Sequence, residues 1–342
     1  MILKTRPDED GLERVIEKLG QQGVEPKDLD ISKGTSSYII GIRGDTSGIN
    51  EGAFSGMPEI EDVIRMTVKW KLLSREYHPE DTVVKVGDIE VGRGLTIMSG
   101  PCAIESYEQL LKTARAVRSA GAHMLRGGAY KPRTSRVDFQ GLGEDGLQML
   151  KKVKDELGLP VVTEITDKEN IPLFQKYDID VYQVGARNCQ NFPLLKALAG
   201  IDRPVLLKRG DHISVDEFLN AADYVYSGNG ENSGNKKVML CERGDKTADP
   251  AYRNVFNINN IPNLRQMTHL PVIADPSHST GERRLVLPVA CAAVAAGAHG
   301  VIIEVHIDPP NALCDGKQSI YAKDAKEMAR QLKTVYAAVH PR

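Results

Sequence analysis

The sequence predicts an α/β protein in which a (β/α)8 TIM barrel follows a small ferredoxin-like βαββαβ domain. Beyond residue 95, short apolar runs alternate with helical segments, the rhythm of a parallel barrel. The first 72 residues follow a different order, strand–helix–strand–strand–helix–strand. Finally, cations and metal-type side chains recur at the ends of the apolar runs, where a barrel gathers its chemistry.

In the N-terminal module, Met1–Thr5 reads as a strand and Asp8–Gln22 as a helix with Leu12, Val15, Ile16 and Leu19 on one face. Leu29–Ser32 and Ser36–Arg43 form the expected hairpin across Lys33-Gly34, Ser47–Phe54 a short helix, and Ile60–Val68 the last strand. Residues 1–72 are thus assigned to this module, 73–95 to a linker and β-hairpin, and 96–342 to the barrel. Lys69–Asp81 reads as a connector, and Gly87-Asp88 as the tight turn between Thr82–Val86 and Ile89–Val91. The barrel strands are Leu95–Ser99, Met124–Arg126, Val161–Ile165, Val181–Val184, Val205–Lys208, Lys237–Leu240, Pro271–Ala274 and Gly300–Glu304. Helices are expected over Tyr107–Ala120, Asp145–Leu157, Lys168–Lys176, Phe192–Ala199, Val215–Tyr226, Arg284–Ala296 and Ala322–Ala338. A doubly wound open sheet is the alternative, but no G-x-G-x-x-G follows the first barrel strand. The Gly-, Asn- and Ser-rich segment Ser227–Asn235 joins a helix to the next strand, which places it on the face away from chemistry.

A formal net charge of -2 over 342 residues gives no support to binding nucleic acid or a charged membrane surface. No apolar run is long enough to span a bilayer, and Met1–Pro7 lacks a signal-peptide core, so a cytoplasmic location is expected. The cysteines, Cys102, Cys189, Cys241, Cys291 and Cys314, are widely spaced, without a C-x-x-C pair. Cys189, Cys241 and Cys291 are read as packing residues.

Strand ends two, four, five and six carry cations: Arg126 with Lys131 and Arg133, Arg187, Lys208-Arg209, and Arg243. Arginine offers a planar fork for phosphate or carboxylate, and lysine a compact charge. Such a rim would repel itself when empty, so a small polyanionic substrate, or two, is expected. A ring of unrelated salt bridges is the competing reading. Strands seven, eight and one supply different chemistry: Asp275 and His278, Glu304, and Cys102, with Asp315 in the loop after strand eight. A thiolate, an imidazole and two carboxylates suit one borderline divalent ion, Mn²⁺, Fe²⁺, Co²⁺ or Zn²⁺. On the residues alone His306 competes with His278, and Cys314 with Cys102, while Asp275 reads as a group that orients a ligand or a lysine.

Gly100-Pro101-Cys102, Arg126 through Ser135, Gly185-Ala186-Arg187-Asn188, Leu207-Lys208-Arg209-Gly210, Cys241-Glu242-Arg243-Gly244, Asp275-Pro276-Ser277-His278-Ser279 and Asp315-Gly316-Lys317-Gln318-Ser319 occur together and in order. With them the chain resembles the 3-deoxy-D-arabino-heptulosonate 7-phosphate (DAHP) synthases, most closely the type Iβ group with an N-terminal ferredoxin-like regulatory domain. The resemblance implies condensation of phosphoenolpyruvate with erythrose 4-phosphate at the head of the shikimate pathway of aromatic amino acid and chorismate biosynthesis. It implies Arg187 and Arg243, with Gly185 and Ala186, around the phosphate of phosphoenolpyruvate, and Arg126, Lys131 and Lys208 around its carboxylate. Lys131, Pro132, Arg133, Thr134, Ser135 and Asp315 would bind erythrose 4-phosphate, with Arg133, Thr134 and Ser135 on its phosphate. Cys102, His278, Glu304 and Asp315 match the metal ligands, in preference to His306 and Cys314. Lys131 is the candidate proton carrier, with Cys102 and His278 catalytic through the ion, for which Mn²⁺ is the leading choice. The resemblance further implies allosteric inhibition by tyrosine or phenylalanine and a homotetramer.

Two rivals remain at this point. An octulosonate 8-phosphate synthase shares the barrel but typically carries K-A-N-R-[ST], one residue longer than Lys131-Pro132-Arg133-Thr134. A non-catalytic effector-binding relative would not need the intact clamps.

Overall fold

The computed structural model describes all residues except 7, 35–36, 43–45, 65–67, 134, 229–233 and 341–342. The chain divides into two compact units, Met1–Glu80 with Met267–His269, and Asp81–Gln266 with Leu270–Arg342.

The first unit carries β1 (Ile2–Thr5), α1 (Glu9–Gln21), β2 (Leu29–Lys33), β3 (Tyr38–Ile42), α2 (Gly52–Ser55) and β4 (Ile60–Ile64). The sheet order β2-β3-β1-β4, all antiparallel, is the expected split βαβ arrangement. Asp8 caps α1 through Gly11, and Leu12, Val15 and Leu19 bury one face of it with Leu3, Ile40 and Phe54. Helix α2 is a single turn rather than the longer Ser47–Phe54 helix, since Gly48 and Gly52 within that span each disfavour helix by about 1 kcal/mol. The expected hairpin and last strand run in part through 35–36, 43–45 and 65–67, outside the described residues. The Lys69–Asp81 connector is more structured than its sequence suggests, because Trp70, Leu72, Leu73 and Tyr77 are buried around a short 3-10 turn at Lys71–Leu73.

The second unit opens with the hairpin β5 (Val84–Val86) and β6 (Ile89–Val91). The barrel strands follow as β7 (Thr96–Gly100), β8 (Met124–Arg126), β9 (Val161–Ile165), β10 (Val181–Val184), β11 (Val205–Lys208), β12 (Val238–Glu242), β13 (Val272–Ala274) and β14 (Gly300–His306). They pair in parallel in that order, and β14–β7 closes the ring. Val84, Val86 and Val91 pack against Met98, Met124, Val162, Val181, Leu206, Met239, Ile273 and Ile302, so the hairpin plugs the end where most strands begin. The opposite end is left to polar side chains, the arrangement that makes a barrel rim a site.

The helices between are α3 (Tyr107–Ser119), α4 (Glu144–Leu157), α5 (Ile171–Lys176), α6 (Phe192–Leu198), α7 (Val215–Tyr226), α8 (Asn260–Met267), α9 (Pro276–Thr280), α10 (Arg283–Ala295) and α11 (Ala325–Val339). Ser106 caps α3, a Ser214–Glu217 capping box starts α7, and Gly158 ends α4 in the left-handed region. Pro172, which the first helical turn tolerates, marks where the expected Lys168–Lys176 helix becomes a 3-10 turn followed by α5. Helices α8 and α9, and the short strand β15 (Ile320–Tyr321) beside β14, have no counterpart in the sequence reading. Most of the glycine-rich Ser227–Asn235 segment, 229–233, lies outside the described residues; Asn235 is buried and donates to Arg203 O at 2.8 Å. No helix among the described residues is long and apolar enough to cross a membrane.

Candidate active site

Four donors converge at the polar end. Cys102 follows β7, His278 lies in α9 after β13, Glu304 is on β14, and Asp315 is in the loop beyond it. One ligand atom from each lies within 4.8 Å of all the others. His278 Nε2 is 3.2 Å from Glu304 Oε1 and 3.8 Å from Asp315 Oδ2, which is 3.5 Å from Cys102 Sγ. The backbone is shaped for this. A Cβ at Gly100 would sit 2.0 Å from Arg126 O, so only glycine lets β7 leave past β8 towards Cys102. Asp315 takes a left-handed φ of 53°, and its carbonyl accepts from Gln318 N and Ser319 Oγ. Arg283 fastens the same loop through Gly316 O and Ser319 O.

Each donor is also held from outside the cluster. Asp275 Oδ2 faces His278 Nδ1 at 2.7 Å, which turns Nε2 inwards, and Lys208 Nζ donates to that same oxygen. Glu304 accepts from Arg126 Nη1 at 2.9 Å and from Gln318 Nε2 at 2.6 Å. Lys131 Nζ lies 3.2 Å from Cys102 Sγ. Burial pushes the His278 imidazole below its ordinary range, against the pull of Asp275 and Glu304, so it is a neutral donor. Burial alone would raise the Glu304 and Asp315 carboxyls, but neighbouring cations outweigh it and hold both below the usual carboxylate range. The hydrogen bond to Cys314, then burial, raises the Cys102 thiol well above its ordinary value. A thiol, a neutral imidazole and two ionised carboxylates fit a borderline divalent ion.

Beside the quartet is a cavity of about 360 Å³ whose lining includes Lys131, Pro132, Arg133, Gly185, Ala186, Arg187, Lys208, Arg243, His278 and Asp315. Arg187 donates to Pro132 O at 3.0 Å, joining the β8 and β10 loops. Arg126 is buried behind the cavity, against Glu304 and Pro101 O. Ser135 does not line the cavity, and its hydroxyl accepts from Val137 N; Thr134 lies outside the described residues. His306 stands apart from the quartet, 3.4 Å from Glu105. Cys314, by contrast, touches it: its Sγ is 3.1 Å from Cys102 Sγ and 2.6 Å from Arg133 Nη1.

The expected self-repulsion of the rim is relieved by paired carboxylates. Arg126 meets Glu304 and Lys208 meets Asp275, while Arg243 lies 3.8 Å from Asp211. Arg209 does not serve the cavity at all. It is fully buried, doubly paired with Glu242, and bonded to Asp245 and Ile213 O. Sequence reasoning missed Asp138, Glu164, Gln183, Asp211, Lys246, Arg253 and Asn254, which complete the lining. Glu164 and Gln183 lie at the ends of β9 and β10, where the rule of reading strand ends finds them; Arg253 and Asn254 sit in the long β12–α8 loop with no local signal.

A family model described as the DAHP synthetase I family matches residues 76–340. The chain belongs to that family. A second model, the DAHP synthase ferredoxin-like domain, matches residues 1–68, so the DAHP synthase resemblance covers both units. A phospho-2-dehydro-3-deoxyheptonate aldolase of Thermotoga maritima is 43% identical over 340 residues, covering 99% of this chain and 98% of that one. The crystal structure of the Thermotoga maritima DAHP synthase gives a TM-score of 0.76 at 44% identity over 99% of this chain and 97% of that chain. Its truncated form gives 0.72 at 45% identity over 79% and 97%. A 2-dehydro-3-deoxyphosphooctonate aldolase of Geotalea daltonii is also similar, at 34% identity over 75% of this DAHP synthase family chain and 98% of its own.

Proposed function

We propose that this member of the DAHP synthase family condenses phosphoenolpyruvate with D-erythrose 4-phosphate and water, releasing DAHP and phosphate, with a divalent ion held by Cys102, His278, Glu304 and Asp315. The observation that carries the reading is the contact between that four-donor cluster and a cavity lined by five clamp cations, Lys131, Arg133, Arg187, Lys208 and Arg243. Two anionic substrates need those cations, and an aldehyde beside them benefits from an electrophile.

Arg187 and Arg243, with the Gly185 and Ala186 backbone, take the phosphate of phosphoenolpyruvate; Arg126, Lys131 and Lys208 take its carboxylate. Arg133 and Thr134 take the aldose phosphate, with Pro132 shaping the turn and Asp315 facing the aldose hydroxyls; Ser135, outside the cavity lining, is left to the turn itself. Holding both substrates so turns a bimolecular encounter into a local one, an advantage of several kcal/mol. The ion, when bound, supplies Lewis acidity for the developing alkoxide. C3 of phosphoenolpyruvate forms the new bond to the aldehyde carbon, and Lys131 Nζ delivers a proton to the aldehyde oxygen. Water adds at C2, giving a proton to Glu164, whose carboxylate faces the cavity without a hydrogen-bond partner among the described residues. The C2–O bond to phosphate then breaks as the C2 hydroxyl becomes the ketone; phosphate leaves with the bonding electron pair and takes up the hydroxyl proton.

Phosphate release measured with erythrose 4-phosphate and with arabinose 5-phosphate, with and without chelator, tests this reading. Faster turnover of the pentose would make the chain an octulosonate 8-phosphate synthase, a reading that the shorter Lys131–Arg133 spacing disfavours. No phosphate release by metal-loaded protein would favour the non-catalytic effector-binding alternative. We take residues 1–72 as a regulatory domain that senses tyrosine or phenylalanine, 73–95 as linker and hairpin, and 96–342 as the catalytic barrel of a cytoplasmic homotetramer, with Mn²⁺ the ion. Deleting 1–72 should abolish inhibition by the amino acid while sparing turnover; inhibition that persists refutes the sensor.

A further inference from the structure

Cys102, Glu304 and Asp315 each have a cation on the atom that faces a fellow donor. Lys131 Nζ is 3.2 Å from Cys102 Sγ, and Arg126 Nη1 is 2.9 Å from Glu304 Oε1, the oxygen turned to His278. On Asp315 the cation is Arg253, whose Nη1 lies 3.0 Å from Oδ2, the oxygen turned to both Cys102 and His278. Lys131 and Arg126 have a second task as substrate clamps. Arg253 has none.

Its placement is nonetheless fixed. Gln318 Oε1 accepts from the same Nη1 at 2.9 Å, while Gln318 Nε2 donates to Glu304 at 2.6 Å and approaches Asp315 Oδ2 at 3.3 Å. Reversing that amide would break these contacts, so one buried glutamine ties the arginine to both carboxylates. The aliphatic stem of Arg253 packs against Gly281, where a Cβ would come within 2.7 Å of it.

We propose that Arg253 sets the metal affinity of this site by competing with the ion for Asp315 Oδ2, keeping that ligand shared and the ion exchangeable. The inference rests on the reading of the quartet as a metal site. A guanidinium keeps its charge at every working pH, so it opposes a dication whenever one is bound. Its side chain is 37% exposed, so solvent screens it. Even at the dielectric of water, a unit charge one hydrogen bond from a ligand atom alters the binding of a dication by about tenfold. Losing the orientation of one carboxylate acts the other way, but the left-handed backbone of Asp315 is held independently by Ser319 and Gln318.

The test is titration of full-length, metal-free protein with Mn²⁺ alone, reading free Mn²⁺ by its electron paramagnetic resonance signal. Arg253→Met should bind Mn²⁺ about tenfold more tightly than the wild type, and Arg253→Lys, which keeps the charge, should stay near wild type. Arg253→Gln gives the same comparison if the methionine variant does not fold. Wild-type protein that binds no Mn²⁺ overturns the metal-site reading itself. Wild-type binding with neutral variants that bind no more tightly overturns the role of Arg253 alone.

Discussion

Lys208 and His278 meet on a single oxygen: Asp275 Oδ2 lies 2.5 Å from Lys208 Nζ and 2.7 Å from His278 Nδ1. One carboxylate therefore links a candidate metal ligand to a candidate clamp of phosphoenolpyruvate, and its other oxygen accepts from His278 N at 3.0 Å. Burial raises the Asp275 carboxyl, but His278 and Lys208 outweigh it and hold it well below the usual range. Asp275→Asn keeps the shape but removes the charge both neighbours need. Metal affinity should fall by about 10- to 100-fold, the usual effect of removing a partner behind a ligating histidine. The KM for phosphoenolpyruvate should rise with it. Mn²⁺ titration and steady-state kinetics on the same preparation check both, and a change in only one would show that the shared oxygen does not couple them.

The Cys102 thiol gives a second prediction, with a definite sign. Its proton is retained through neutral pH, because the bond to Cys314 and burial raise the thiol well above its ordinary value. Glu304, Asp315 and the His278 imidazole are all lowered and have already lost their protons there. An ion that takes the sulfur must expel one proton, so affinity should rise about tenfold per pH unit between roughly pH 7 and 8. Calorimetry in buffers of different ionisation heat should count one proton released. Cys102→Ala should lose most affinity and activity; if it keeps the full slope, the proton comes from elsewhere.

Much of this arrangement was legible in the sequence, for reasons that differ by element. The barrel strands are buried on both faces, so Val161–Ile165 and Val181–Val184 announce themselves as apolar runs with sharp ends. The four donors stand at or just past such ends. The Arg253–Gln318 contact was invisible, although Gln318 stands in a motif the sequence reading used, because it spans 65 residues of chain between two loops with no periodicity. Arg209 shows the opposite failure. It stands beside Lys208 at a strand end, yet it points to Glu242, since neighbouring residues on a strand face opposite ways.

Acid should destabilise the metal-free protein in two stages. The folded state holds the His278 imidazole below its unfolded value, so below about pH 6.5 the unfolded chain binds a proton that the folded state refuses. The depressed carboxyls of Asp275, Glu304 and Asp315 add stability above their unfolded values near 4, and that contribution is lost as pH falls further. The thermal midpoint should therefore be flat near pH 7 and decline below each of these values. His278→Gln should shrink the first stage to what His123 supplies, whose imidazole burial also holds below its ordinary value, and leave the second stage in place; a first stage of unchanged size would assign it to other histidines.

Gly185 and Glu164 supply the last prediction. A Cβ at Gly185 would lie 2.0 Å from Glu164 Oε1, so an alanine there must push the carboxylate out of place. The backbone itself would tolerate alanine, because Gly185 has an ordinary φ of -69°. Gly185→Ala is therefore a displacement of Glu164 more than a change at β10. If Glu164 takes the proton of the attacking water, moving it and neutralising it should have the same consequence. Gly185→Ala and Glu164→Gln should each lower kcat by about 10²- to 10⁴-fold, the range for a lost general base, with metal affinity unchanged. The double variant should be no slower than the worse single one, because two changes that disable one group do not add. Additive losses would mean that Gly185 serves the phosphate through its own backbone, and that Glu164 acts separately from it.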